Sequence, residues 1–212
     1  MICLFGGTFD PVHYGHLRAA LEVRQALGID EVRLLPAGQP PHRRSPQASA
    51  EQRLALLRLA VADEPALAID TRELHRAGPS YMADTLRSLR EEVGDEPLCL
   101  ALGLDALLGL DSWHDWRAIP ALCHLLVMQR PGSGWPQSGE LAELVARACV
   151  DSVQALHEQP AGLVAAMTVT QLDISATAIR RMLREGQSPR FLLPDKVLNH
   201  IYEQGWYLDA EH

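Results

Sequence analysis

The stretch Ile2-Cys3-Leu4-Phe5-Gly6-Gly7-Thr8-Phe9-Asp10-Pro11-Val12-His13-Tyr14-Gly15-His16 lies at the very start of the chain. Residues 2–5 form a short continuous apolar run, which reads as a buried strand stopped by Gly6-Gly7. From about residue 13 to 27, Leu17, Ala20, Leu21, Ala26 and Leu27 recur at helical spacing, and Gly28 suits a C-terminal cap. Residues 32–35 read as a second strand, closed by Pro36. Strand, glycine turn, helix and strand make a βαβ unit, which requires parallel neighbouring strands.

The alternation continues outward from that unit. Residues 36–46, rich in Pro, Gly and basic side chains, read as a surface loop. Helices are expected at 51–62, 81–93, 113–119 (ended by Pro120), 141–148, 175–183 and 194–203, and strands at 66–70, 98–102, 122–128 and within 161–169. Residues 131–139 read as a loop. The pattern predicts an α/β fold: a Rossmann-like, doubly wound, mostly parallel sheet with helices on both faces. A single domain over residues 1–212 is expected, with a C-terminal helical part from about 174.

Composition bounds the function. Hydrophobic residues make up 47% of the 212, enough for a real core. Nineteen Lys and Arg against 27 Asp and Glu give a net charge of −8, which argues against a broad nucleic-acid or membrane footprint but leaves room for a local phosphate pocket. Cys3, Cys99 and Cys123 sit in apolar, strand-like runs and read as buried reduced thiols; with Cys149 they form no C-x-x-C pair. The N-terminus has neither a basic segment nor a long apolar one, so the expected compartment is the cytoplasm. The sequence sets no oligomeric state.

In sheets of this kind ligands bind beyond the carboxyl ends of the strands. Gly6 and Gly7 let backbone approach a ligand there, and the N–H groups of the loop and the following helix N-terminus suit a phosphate. His13 and His16 share one face of the first helical turn, where imidazole donors can grip phosphoryl oxygens. A His-x-x-His pair can also hold a metal, but no further His or Cys falls at helpful spacing. Neither G-x-x-x-x-G-K-[ST] nor G-x-G-x-x-G is present.

Ser175 reads as a helix N-cap in Asp173-Ile174-Ser175-Ala176-Thr177-Ala178-Ile179-Arg180. The backbone N–H groups of Ala176 and Thr177 would face a ligand, and Arg180 offers a charged donor one turn on; an ordinary capped helix with a solvated arginine is the competing reading. Asp105, after Gly103, can accept from ribose hydroxyls or cap a helix. Trp113 in Ser112-Trp113-His114-Asp115-Trp116 can stack on a planar ring or belong to the core.

The first stretch resembles the nucleotidylyltransferase superfamily, whose signature here is His13-Tyr14-Gly15-His16. The longer Gly-Gly-Thr-Phe-Asp-Pro-x-His-x-Gly-His run resembles the bacterial nicotinate mononucleotide adenylyltransferases. The 173–180 segment is similar to the superfamily's I-S-S-T-x-I-R element, with Ala176 for the second serine. Pro79-Ser80-Tyr81-Met82-Ala83-Asp84-Thr85-Leu86 resembles P-S-Y-T-x-x-T-L, with Met82 for threonine, and Pro40-Pro41-His42-Arg43 resembles a P-P-H-K/R loop. The likeness runs from residue 2 to about 202.

What the resemblance implies is adenylyl transfer from ATP, with Mg²⁺, to nicotinate mononucleotide, giving deamido-NAD and pyrophosphate. The chemistry implied is direct in-line displacement, with His16 first and His13 second in stabilising the transferring group. Gly6, Gly7, Thr8, Phe9, His13, His16, Ser175, Thr177 and Arg180 would meet ATP, and Gly103 and Asp105 a ribose. Met82 and His114 (through backbone N–H), Thr85, Trp113, His42 and Arg43 would meet the nicotinate nucleotide. The alternatives are a superfamily transferase acting on phosphopantetheine or nicotinamide mononucleotide, a non-catalytic nucleotide sensor, and a metal hydrolase using His13 and His16.

Overall fold

The computed structural model describes residues 1–39, 45–129 and 134–208. The central strands of the sheet divide their side chains between two cores, because successive residues point to opposite faces. In β1 (Ile2–Gly7), Cys3 and Phe5 enter one core and Leu4 the other. That is why the opening run is apolar without alternation. α1 (Tyr14–Leu27) covers the first face with Ala20 and Val23, and ends at Gly28, whose φ of 66° and N–H to the Arg24 carbonyl (3.0 Å) make the expected left-handed cap.

The chain continues through β2 (Val32–Pro36), α2 (Ala50–Val61), β3 (Leu67–Ile69), α3 (Met82–Val93) and β4 (Leu98–Gly103). After β4 come α4 (Leu104–Leu108), 3-10 turns at Leu110–Ser112 and Trp116–Ala118, and α5 (Ile119–Leu122). The rest is β5 (His124–Gln129), α6 (Gly139–Ala148), β6 (Cys149–Val150), a 3-10 segment at Val153–His157, β7 (Val164–Thr168), α7 (Ala176–Arg184) and α8 (Asp195–Gln204). Among the described residues these strands form one sheet in the order β3-β2-β1-β4-β5-β7-β6, and every ladder is parallel. This is the expected doubly wound architecture. Leu86 and Leu89 of α3 and Leu144 and Val145 of α6 cover the second face, while Ile179 of α7 and Val197 and Ile201 of α8 join α1 on the first. The strand order reverses between β1 and β4, which opens the crevice at their carboxyl ends.

Four readings change. Gly6 and Gly7 extend β1, paired with Leu35 and Pro36, and do not stop it. The helix expected at 113–119 is a 3-10 turn at Trp116–Ala118 leading into α5, and Trp113 lies between that turn and the earlier one at Leu110–Ser112. Pro120 then lies in the first turn of α5 where an end was expected, because a first-turn proline lacks only an N–H the helix cannot use. α4 and β6 were unforeseen, being too short to show periodicity. Cys3, Cys99 and Cys123 are buried free thiols, and Cys149 is exposed. No helix among the described residues is long and apolar enough to cross a membrane.

Candidate active site

The loop after β1 folds back on its own glycine. Phe9 takes a left-handed φ of 51° and buries its ring over Gly7, where a Cβ would lie 2.8 Å from Cζ. Only glycine fits beneath that ring. The edge of Phe9 then meets the His16 ring, centroids 5.0 Å apart. Phe9 therefore positions an imidazole; its side chain does not face the crevice.

His13 is the N-cap of α1 and His16 its third residue. Their rings stack, with centroids 3.7 Å apart and planes inclined by 25°. The His13 backbone N–H donates to His16 Nδ1 at 3.3 Å. A nitrogen that accepts must carry a lone pair, so the proton of the His16 ring sits on Nε2, as a donor. His13 is buried, and its side chain faces the His16 N–H in capping-box geometry without closing a full hydrogen bond at Nδ1. Burial pushes the imidazole down to about 4, so it is neutral at physiological pH. Gly15 makes room for it: a Cβ there would lie 3.0 Å from His13 Nδ1 and Cε1.

The second motif reaches the first. The Ile174 carbonyl oxygen lies 3.7 Å from the same Cβ position of Gly15. Ser175 is the N-cap of α7, its Oγ accepting from the Ala178 N–H at 3.2 Å. The first-turn N–H groups of Ala176 and Thr177 thus belong to a helix N-terminus beside the histidines. Arg180 turns back onto the first motif, donating to the Asp10 carbonyl and pairing with Asp10 Oδ2 at 3.5 Å.

The other half of the crevice lies beyond β4. Gly103 is the N-cap of α4, so Asp105 does not cap the helix and its carboxylate is exposed. Trp116 is buried and Trp113 half-exposed, and both border a cleft of about 460 Å³ with Asp111, Arg117, Gly139 and Glu140. Tyr81 caps α3 and stacks on His114 at 4.1 Å. Met82, the first residue of α3, packs its methyl toward Gly6. Thr85 corrects the expectation: it is fully buried, its hydroxyl donating to Glu73 (2.7 Å) and accepting from Arg76 (3.0 Å), so it supports the crevice wall and does not face a ligand. His42 and Arg43 lie outside the described residues.

Residues 4–182 match the cytidylyltransferase-like family. A Methylococcus capsulatus protein named "Probable nicotinate-nucleotide adenylyltransferase" is 53% identical over 98% of this chain and 99% of its own. One of the same name from Marinobacter nauticus is 52% identical over 98% of this chain and 96% of its own. The chain belongs to the nicotinate-nucleotide adenylyltransferase family. Its fold matches the Plasmodium falciparum nicotinic acid mononucleotide adenylyltransferase complexed with NaAD, with a TM-score of 0.75 at 14% identity over 99% of this chain and 98% of that one.

This family member carries supporting residues that sequence reasoning missed. Arg53 is 1% exposed and donates to the carbonyls of Thr8 (2.7 Å) and Gly38 (3.2 Å), stapling the loops after β1 and β2 together. Burial pulls its guanidinium below the usual arginine range. Its spacing to the buried Leu56 and Leu57 was the available signal: three and four residues on, they share one helix face. Ser80 Oγ accepts from the N–H groups of Gly38 and Gln39, both at 3.1 Å. Glu73, 4% exposed beside Thr85, has its carboxyl raised by burial. Nothing local in the sequence marks Glu73.

Proposed function

We propose that the chain transfers the adenylyl group of ATP to nicotinate mononucleotide, releasing pyrophosphate and forming deamido-NAD. The observation that carries this reading is the stacked His13–His16 pair beside the N-terminus of α7, at the carboxyl end of β1 where the crevice toward β4 opens. The 5′-phosphate of the acceptor is already an anion, so its oxygen attacks the α-phosphorus in line and needs no general base. His16 donates through Nε2–H to the oxygens of the transferring group as their charge grows, and His13 supports it. The N–H groups of Ala176 and Thr177, with Arg180, hold the departing phosphates. Asp105 receives a ribose hydroxyl, Trp113 stacks on the pyridine ring, and the backbone N–H groups of Met82 and His114 meet its carboxylate.

Among the described residues no group of three or more His, Cys, Asp or Glu is arranged to hold a metal ion. Mg²⁺ would enter on the ATP phosphates, since this ion keeps its waters and binds chiefly through substrate oxygens. When bound, it neutralises charge on the departing pyrophosphate. The cytoplasm is the proposed compartment, consistent with three buried free thiols.

The test is a substrate panel. ATP and Mg²⁺ are offered with nicotinate mononucleotide, nicotinamide mononucleotide or phosphopantetheine, and pyrophosphate is measured. The largest kcat/KM is expected with nicotinate mononucleotide. A larger value for either rival moves the chain to another substrate, and ATP binding without pyrophosphate makes it a sensor.

A further inference from the structure

We infer that Asp10 is a positioning residue for the triphosphate, acting through Arg180, and that Tyr207 in the C-terminal segment locks it in place. This rests on the adenylyl-transfer reading. The Asp10 side chain is buried, and both of its oxygens are engaged. Oδ1 accepts from the Ala48 N–H at 3.1 Å and from the Tyr207 hydroxyl at 2.8 Å. Oδ2 accepts from the Gln47 N–H at 2.9 Å and faces Arg180 Nη1 at 3.5 Å. The Asp10 carbonyl takes a further bond from the same Nη1. One carboxylate, three residues before His13, thus joins four segments distant in sequence.

The guanidinium shows what this arrangement achieves. Nη1 is committed to Asp10, Nη2 makes only a 3.4 Å contact with Thr177 Oγ1, and Nε has no partner despite being buried. A planar fork held along one edge keeps its remaining donors at a fixed angle, ready for an anion. Arginine left unheld would sample many rotamers, and the phosphate would have to order it on binding. Arg180 is one turn into α7, the helix whose N-terminus faces the histidines, so the aim of this fork matters at that place.

Tyr207 completes the lock. It adopts a left-handed φ of 62°, a conformation that costs a tyrosine and persists only where contacts enforce it. Its phenol supplies such a contact, and burial beside Asp10 drives the hydroxyl well above the usual tyrosine range, so it remains a donor. Arg53 also contributes positive charge toward Asp10 from below the loop. The carboxylate thus lies against the Arg180 guanidinium and the Tyr207 phenol, with Arg53 nearby.

The test uses Asp10→Asn, Tyr207→Phe and Arg180→Lys in the full chain, with separate KM values for the two substrates, melting temperatures, and calorimetric binding of a non-hydrolysable ATP analogue. Tyr207→Phe removes one hydroxyl and is expected to weaken ATP-analogue binding about three- to tenfold, the effect of one buried hydrogen bond, with KM for the second substrate unchanged. Asp10→Asn is expected to weaken ATP binding by about tenfold or more, and adding it to Arg180→Lys should cost little further, because both act through one fork. Should Asp10→Asn fail to fold, Tyr207→Phe decides alone. Equal losses for both substrates, or ATP binding that simply follows melting temperature, would overturn the inference. Calorimetry separates this from the activity reading: a chain that turned over no substrate would still show whether Asp10 and Tyr207 set the affinity for ATP.

Discussion

Replacing His13 by Asn should make the protein more resistant to acid. In the folded chain the His13 imidazole titrates near 4, against an ordinary value of 6.5, because it is buried. Its folded pKa is depressed, so the associated stability is present above 6.5. It is lost as pH falls from there toward 4, where the unfolded chain binds a proton and the folded chain refuses it. At about 1.4 kcal/mol per pH unit, the full difference is about 3 kcal/mol. Integrating between the two values, about 2 kcal/mol of that is gone by about pH 5. Asn is a favoured N-cap and retains the capping geometry at the start of α1. The assay is urea unfolding of both proteins at about pH 8 and about pH 5. The wild type should lose about 2 kcal/mol more than the variant across that interval. Parallel losses would refute the reasoning: His13 would then be as open to protonation in the folded chain as in the unfolded one. In the same preparation His13→Asn should lower turnover, because an amide cannot replace the stacked ring that supports His16.

The two tryptophans should separate function from stability. Trp113→Ala should raise KM for the pyridine nucleotide with little change for ATP, whereas Trp116→Ala, at a buried site, should cost about 3–5 kcal/mol in denaturant unfolding. Gly7→Ala places a methyl 2.8 Å from Phe9 Cζ, so the ring must move off His16; a stability loss of about 1–3 kcal/mol accompanied by a fall in kcat is expected. Glu73→Gln keeps acceptors for Thr85 and removes a carboxyl that burial holds above its ordinary value. Wild-type stability contributed by that carboxyl is present below its unfolded pKa and is lost as pH rises through the raised one. The variant should therefore gain on the wild type with rising pH, read as a narrowing or reversed difference in melting temperature.

The βαβ opening and the capped α7 were legible because each is written in adjacent residues: an apolar run, a glycine, a serine before a helix. Trp113 could be chosen over Trp116, but only through family resemblance, since both lie in one five-residue stretch and their different burial is decided by where the 3-10 turns place them. The supporting shell was not legible. Arg53 meets Thr8, and Arg180 and Tyr207 meet Asp10, across sequence separations of 45, 170 and 197. No local propensity encodes such a partner; it exists only once the sheet has brought the loops together. Thr85 was misread for the same reason: its position in the motif suggested a ligand contact, while its burial comes from the packing of α3 against residues 73–76.

As the chain leaves the ribosome, β1 can pair with β2 once residue 36 has emerged, but its other edge waits for β4, which is complete only at residue 103. Throughout that interval the backbone edge of β1 that will receive β4 has no strand partner. The intervening residues of α2, β3 and α3 must be made before the two sides of the crevice meet. A chain that has made β1 and β2 but not β4 therefore presents an unpaired strand edge, the feature that makes incomplete parallel sheets prone to wrong pairing.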